Sequence, residues 1–98
     1  MATTKIGTYT ILLSAHTYNP RIWLYDDAGL NIGQLVFHPN GTVLPANTPT
    51  SLNYHLDEYL MAVDLLRNEK PVYYQYMAGA GESYIISGRE SVGDNDKV

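Results

Sequence analysis

Three histidines and a pair of adjacent aspartates are the side chains of this chain best suited to proton transfer or metal binding. His16 and His38 lie at the ends of predicted strands, and His55 lies in the first turn of a predicted helix. No two of them have the spacing that holds a metal ion on one element. We therefore predict no metal site, no cofactor and no catalytic residue. A His16 or His38 paired with Asp26 or Asp27 remains open as a general base or a small-ligand site at a cleft between subunits.

Two further motifs have ordinary structural explanations. Asp26 and Asp27 precede Ala28-Gly29, and aspartate commonly caps the backbone of such a turn. The glycine-rich loop at residues 78–81 leads into a predicted strand, whereas a phosphate-binding loop leads into the N-terminus of a helix. The chain also has no cysteine, which excludes disulfides and thiol nucleophiles. These features favour a protein without enzymatic activity.

Aromatic side chains are the strongest functional signal, since the chain has nine tyrosines against one phenylalanine and one tryptophan. Tyrosine and tryptophan combine a large apolar ring with a polar group, and with arginine they are enriched where proteins contact each other. Arginine and aromatic rings on an open sheet also stack single-stranded bases. The residues that we predict to form an interface or a stacking surface are Arg21, Trp23, Tyr25, Tyr73, Tyr74 and Tyr76.

These side chains require strands to position them. Apolar residues alternate with polar ones through most of the first half, and apolar residues at three- and four-residue spacing follow. The predicted strands are 8–17, 21–25, 30–38, 42–44, 72–77 and 82–87, and the predicted helix is 53–68. The order β-β-β-β-α-β-β predicts an α+β fold, with a mostly antiparallel sheet of five to six strands packed on a single helix.

Length, charge and hydropathy predict the domain organisation, the partners and the cellular location of the protein. Residues 1–88 are predicted to form one domain, and residues 89–98 a flexible acidic C-terminal tail. The net charge is −4 and the six Lys and Arg residues form no run, so nucleic acid is disfavoured as a partner but not excluded. No stretch approaches the ~20 apolar residues of a membrane span, and no secretory signal is evident. We expect a cytoplasmic protein without a membrane partner.

A geometric argument predicts a homodimer. A sheet of five or six strands is about 20–24 Å wide, whereas one helix is about 10 Å across, so the helix cannot cover even one face. We therefore predict a small, non-catalytic interaction module that homodimerises through an aromatic-rich sheet face and also engages a further protein partner. The alternatives are a single-stranded nucleic-acid binder that uses the sheet aromatics, and a small-ligand binder or enzyme with the His/Asp site.

Overall fold

A computed structural model describes residues 2–78 and 82–89. Within these residues the chain forms seven strands, one 3-10 turn and one α-helix. The strands are β1 (Ala2–Ile6), β2 (Thr8–Leu12), β3 (Arg21–Tyr25), β4 (Asn31–His38), β5 (Ser51–His55), β6 (Val72–Tyr76) and β7 (Tyr84–Ser87). The 3-10 turn is Leu56–Glu58 and leads directly into α1 (Tyr59–Asn68).

The strands form two sheets that share one bent segment of chain. The three-stranded sheet has the order β1-β6-β7, and the four-stranded sheet has the order β2-β3-β4-β5. Only Gly7 separates β1 from β2, and its amide donates to the carbonyl oxygen of Tyr25 at 2.7 Å. A Cβ at Gly7 would lie 2.7 Å from the carbonyl oxygen of Asp26. Glycine is therefore required where the segment passes from one sheet to the other.

The four-stranded sheet has two chemically different faces because side chains alternate along each strand. Strands β2, β3 and β4 pair antiparallel, and β4 pairs with β5 in parallel. One face carries Ile22, Leu24, Leu35, Phe37 and Leu52, none of which is more than 1% exposed. We call this the inner face, and it provides most of the hydrophobic core.

The second sheet and the helix complete the core from the other side. Tyr74 of β6 and Ala62 of α1 are buried in the same cluster as the inner face. The Phe37 ring stacks on Tyr54 with centroids 5.7 Å apart, and meets Tyr59 edge-on at 5.0 Å. Aromatic pairs in these geometries are favourable beyond their burial. The helix thus packs on the core along its length, through Tyr59, Ala62, Val63 and Leu66.

The α+β class is confirmed, and the division into sheets differs from the prediction. Seven strands form sheets of three and four, where one sheet of five to six strands was expected. The prediction missed this division because it placed the first strand at residues 8–17, so β1 and the passage between the sheets at Gly7 were not expected. The two sheets cover each other's inner faces, so the helix does not have to cover a face alone.

One predicted strand does not form, and the predicted helix begins later than expected. Residues 42–44 form no strand: Thr42 turns back on the Pro39 carbonyl, and Val43 is 96% exposed. The strand that pairs with β4 is β5, in the region predicted as the first turns of the helix, and α1 begins only at Tyr59. The helical spacing of Leu52 and Leu56 misled the prediction, since Leu52 points into the core from a strand.

The other predictions concern the final hairpin, the end of the first predicted strand, the hairpin loop, the C-terminal tail and membrane spans. The final hairpin is confirmed, with β6 and β7 antiparallel. The strand predicted at 8–17 ends at Leu12, and His16 in the following loop has a φ of 73°. Residues 79–81 of the predicted hairpin loop and residues 90–98 of the predicted tail lie outside the described residues. In the described ranges, no helix has the length and apolar character needed to cross a membrane.

Candidate interaction surface

The face of the four-stranded sheet opposite the core is the candidate functional surface, and we call it the outer face. Registers place one residue from each strand side by side, in rows such as Thr10, Trp23, Gln34 and Ser51. Thr8, Thr10 and Asn31 on this face are exposed, so solvent reaches it. The residues of the outer face are Thr8, Thr10, Leu12, Arg21, Trp23, Tyr25, Asn31, Gln34, Val36, His38, Ser51, Asn53 and His55.

Arg21, Trp23 and Tyr25 form the centre of the outer face, because they alternate with Ile22 and Leu24 on β3. Each of the three is partly buried by its neighbours on β2 and β4. Rings held in this way lose little side-chain freedom on binding, which makes them effective contact residues.

Arg21 is oriented by the loop that precedes β3. Its Nε donates to the carbonyl oxygen of Asn19 at 3.3 Å, and its guanidinium carbon lies 5.7 Å from the centre of the Tyr18 ring. That distance is within the range of a cation–π contact. Tyr18 itself is 61% exposed. The aromatic surface therefore continues from Trp23 and Tyr25 onto this loop.

A chain of hydrogen-bonded amides and histidines borders the outer face where β4 and β5 end. His38 Nδ1 lies 3.2 Å from Asn19 Nδ2, and His38 Nε2 lies 2.8 Å from Asn53 Oδ1. In the tautomer that satisfies both contacts, Nδ1 accepts from Asn19 Nδ2 and Nε2 donates to Asn53 Oδ1. Asn53 Nδ2 in turn donates to the Ala46 carbonyl at 3.2 Å and to Asn47 Oδ1 at 3.5 Å, and the Asn53 backbone amide donates to Asn47 Oδ1 at 2.8 Å. His38 thus ties two loops to the edge of the face.

The charge of the outer face differs from that of the whole chain. Its only Lys or Arg is Arg21, and none of its positions is Asp or Glu. The chain as a whole carries a net charge of −4. The outer face is therefore a weakly positive, aromatic patch bordered by hydroxyl, amide and imidazole groups.

The six residues predicted for the surface lie in three places. Arg21, Trp23 and Tyr25 lie together on the outer face. Tyr73 lies on the outward side of the three-stranded sheet, between Lys5 and Ile86. Tyr74 is 4% exposed and Tyr76 packs against the core, so the structure does not bring these two to the surface with Trp23.

Tyr74 is held inside by a contact across the two sheets. Its hydroxyl donates to the Pro49 carbonyl at 3.0 Å and lies where a Cβ at Gly33 would approach it to 2.7 Å. Burial, together with the neighbouring Tyr54 and Tyr76, raises the pKa of Tyr74 to about 12. Burial also raises the pKa of Tyr54, partly opposed by the backbone amide of Ile85 and reinforced by Glu58. The buried Tyr74 hydroxyl thus has a hydrogen-bond acceptor at the edge of the core.

Within one copy of the chain, the structure does not bring His38 to Asp26 or Asp27, and the predicted His/Asp site between subunits stays a prediction. Asp26 Oδ1 accepts from the amides of Ala28 and Leu30, as the turn interpretation predicts. Asp27 pairs with Lys5 at 3.5 Å. These aspartates lie at the turn between β3 and β4, whereas His38 ends β4, about 20 Å along the strand. No cluster of three or more His, Cys, Asp or Glu suited to a metal ion occurs in the described ranges.

Sequence reasoning missed the network of His38 and Asn53 and the crossing of Tyr74 over Gly33. The network depends on β5 lying parallel to β4, and that strand was taken for helix. The crossing had a visible signal, because a glycine inside a strand often marks the close approach of another chain segment. No known protein family, curated protein or solved structure matches this chain.

Proposed function

We propose that this protein is a small non-catalytic interaction module that forms a homodimer through the outer face of its four-stranded sheet. The observation that supports this proposal most directly is the group of Arg21, Trp23 and Tyr25 at the centre of a solvent-accessible face without carboxylates. Arginine, tryptophan and tyrosine are the residue types that dominate binding energy in protein interfaces. We expect the protein to act in the cytoplasm and to use the same face for a further protein partner.

The size of the face sets the expected affinity. Four strands about 4.8 Å apart and five residues long cover roughly 300 Å² in projection. A stable interface buries about 800 Å² per partner. The loop with Tyr18 has to contribute to the contact, and we expect dissociation in the micromolar range.

Sedimentation velocity tests the homodimer between about 1 and about 200 µM, which spans micromolar dissociation constants. We expect the average mass of the natural chain to rise towards that of a dimer with concentration. Trp23→Ser should abolish the rise. Tyr73→Ser, which removes an aromatic ring from the outward side of the other sheet, should leave it intact. A monomer at every concentration, or equal effects of the two variants, would contradict the proposal.

A second candidate function is binding of single-stranded nucleic acid by the same three side chains. The absence of carboxylates from the outer face supports it, since a negative patch would repel phosphates. Stacking on Trp23 and Tyr25 would contribute about 1–3 kcal/mol per base. The scarcity of cations on the face makes this the weaker candidate.

Trp23 is the only tryptophan, so its fluorescence reports on the outer face directly. If the face stacks bases, a single-stranded oligonucleotide should quench Trp23 at low salt, and added salt should reverse the quenching. A duplex of the same sequence should quench little, and Arg21→Ala should weaken the effect. Unchanged fluorescence at low salt would remove this candidate.

A further inference from the structure

A second site lies at the opposite end of the molecule from the amide and histidine network. A cleft of about 790 Å³ opens between the bent segment around Gly7 and the chain that follows α1. Its apolar lining includes Ile6, Tyr9, Leu66 and Val72. This volume lies within the range of known small-molecule sites. Its lining is about half polar, because charged side chains stand beside the apolar ones.

The cations of the chain gather at this cleft, although they are scattered in the sequence. Lys5, Arg67 and Lys70 line it, and they are three of the five cations in the described ranges. Of the other two cations in the described ranges, Arg21 lies on the outer face, and Arg89 follows Gly88, whose amide donates to the carbonyl of Pro71 in the cleft wall.

The acidic residues are distributed in the opposite way. Asp27 and Glu69 line the cleft, and the other five described carboxylates lie outside it. The lining residues therefore carry three cations against two carboxylates, a net charge of +1, in a protein of net charge −4. A concave site with a net positive charge attracts anions more than its surroundings do.

The one ion pair within the cleft does not close it. Lys5 Nζ lies 3.5 Å from Asp27 Oδ2, and the two side chains are 51% and 67% exposed. Exposed pairs of this kind contribute little energy. The Lys5 ammonium can therefore turn towards an incoming anion at small cost, as can the exposed side chains of Arg67 and Lys70.

We propose that this cleft binds a small organic anion, in which a carboxylate, sulfonate or phosphate group is attached to an apolar or aromatic body. The apolar lining would receive the body, and the cations would receive the charged group. Apart from Thr8, the lining shares no residue with the outer face, so the proposed site does not depend on the homodimer. A neutral ligand with the same body should bind more weakly, because it gains only the apolar contacts.

The test uses two dyes that share an apolar body and differ in charge. The probe is 8-anilinonaphthalene-1-sulfonate, and the matched neutral probe is N-phenyl-1-naphthylamine. We expect saturable binding of one equivalent of the sulfonate, weakened by added salt, with the neutral amine binding about tenfold more weakly. Near-UV circular dichroism checks that each protein retains its packed core, since loosely packed proteins bind such dyes non-specifically.

Variants locate the site. Arg67→Ala and Lys70→Ala should each weaken sulfonate binding about three- to fivefold, as exposed ion pairs typically contribute, and the double variant about tenfold. Arg21→Ala removes a cation outside the cleft and should leave the affinity unchanged. Backbone amide chemical shifts of the natural protein provide a second readout, and the sulfonate should move signals of residues 5–9 and 66–72. No saturable binding, equal affinity for both dyes, or an unaltered double variant would overturn the proposal.

Discussion

The two faces of the four-stranded sheet are made by the same strands and serve different purposes. On β3, Ile22 and Leu24 are fully buried, while Arg21, Trp23 and Tyr25 are only partly covered. The inner face meets the second sheet and the helix, and it excludes water. The outer face keeps contact with water and presents polar groups beside its rings.

The two faces also explain the abundance of tyrosine in two ways, as core residues and as contact residues. Five tyrosines belong to or pack against the core, namely Tyr9, Tyr54, Tyr59, Tyr74 and Tyr76. Among the described residues, no buried side-chain oxygen or nitrogen lacks a hydrogen-bond partner. These five tyrosines therefore serve stability, and of them Tyr9 also lines the cleft described above.

The largest expected loss of stability comes from shortening a side chain on the inner face. Leu24→Ala should lower the free energy of unfolding by about 2–5 kcal/mol, because Leu24 is fully buried and its loss leaves a cavity. Leu60→Ala is the matched control, since Leu60 is 77% exposed on α1. Urea denaturation of both variants measures the contrast. Equal losses would show that the inner face is not the stabilising one.

Alkaline pH should lower stability through Tyr74 on the inner side of the molecule. The pKa of Tyr74 is raised to about 12, against an ordinary value near 10, so its stabilising effect is fully present below pH 10. Between pH 10 and 12 the unfolded chain loses this proton and the folded chain keeps it, so stability falls by roughly 2–3 kcal/mol. Denaturation across this range should show the fall, and Tyr74→Phe should reduce it. An identical pH profile in Tyr74→Phe would contradict the assignment.

Filling the space at Gly33 should break the contact between the sheets. A Cβ there would meet the Tyr74 hydroxyl oxygen at 2.7 Å and its ring carbon Cζ at 2.8 Å. Overpacking of this kind costs about 1–3 kcal/mol, so Gly33→Ala should lower the denaturation midpoint. Combining it with Tyr74→Ala should give a loss smaller than the sum of the two single losses. Strict additivity would mean that Tyr74 does not cross over Gly33.

The smallest effect is expected on the outer face. Thr10→Ala replaces an exposed residue beside Trp23 and should change the free energy of unfolding by no more than about 0.5 kcal/mol. The measurement is made at the lowest protein concentration that gives a usable signal, so that the monomer is observed. A loss above about 1.5 kcal/mol would indicate that this face is covered in solution.

Local patterns were sufficient for much of the fold. Alternation on β3 correctly separated Ile22 and Leu24 from Trp23 and Tyr25, and the Asp26 turn formed as its residue types predict. The pattern failed at β5, because five residues that alternate in a strand also fit the first turns of a helix. These residues form a strand because they pair in parallel with the neighbouring β4. This pairing joins residues 17 positions apart in the chain, such as His38 and His55.

By itself, the sequence determined the α+β class, the final hairpin and the alternation that places Arg21, Trp23 and Tyr25 on one side of a strand. These features depend on residues that are close together in the chain, so their preferences for strand, helix or turn can be read from the sequence. Only the tertiary structure decided that the strands divide into two sheets at Gly7, that Tyr74 lies in the core, and that Lys5, Arg67 and Lys70 meet at one cleft. Such contacts join residues distant in the chain, and their geometry follows from how the sheets pack.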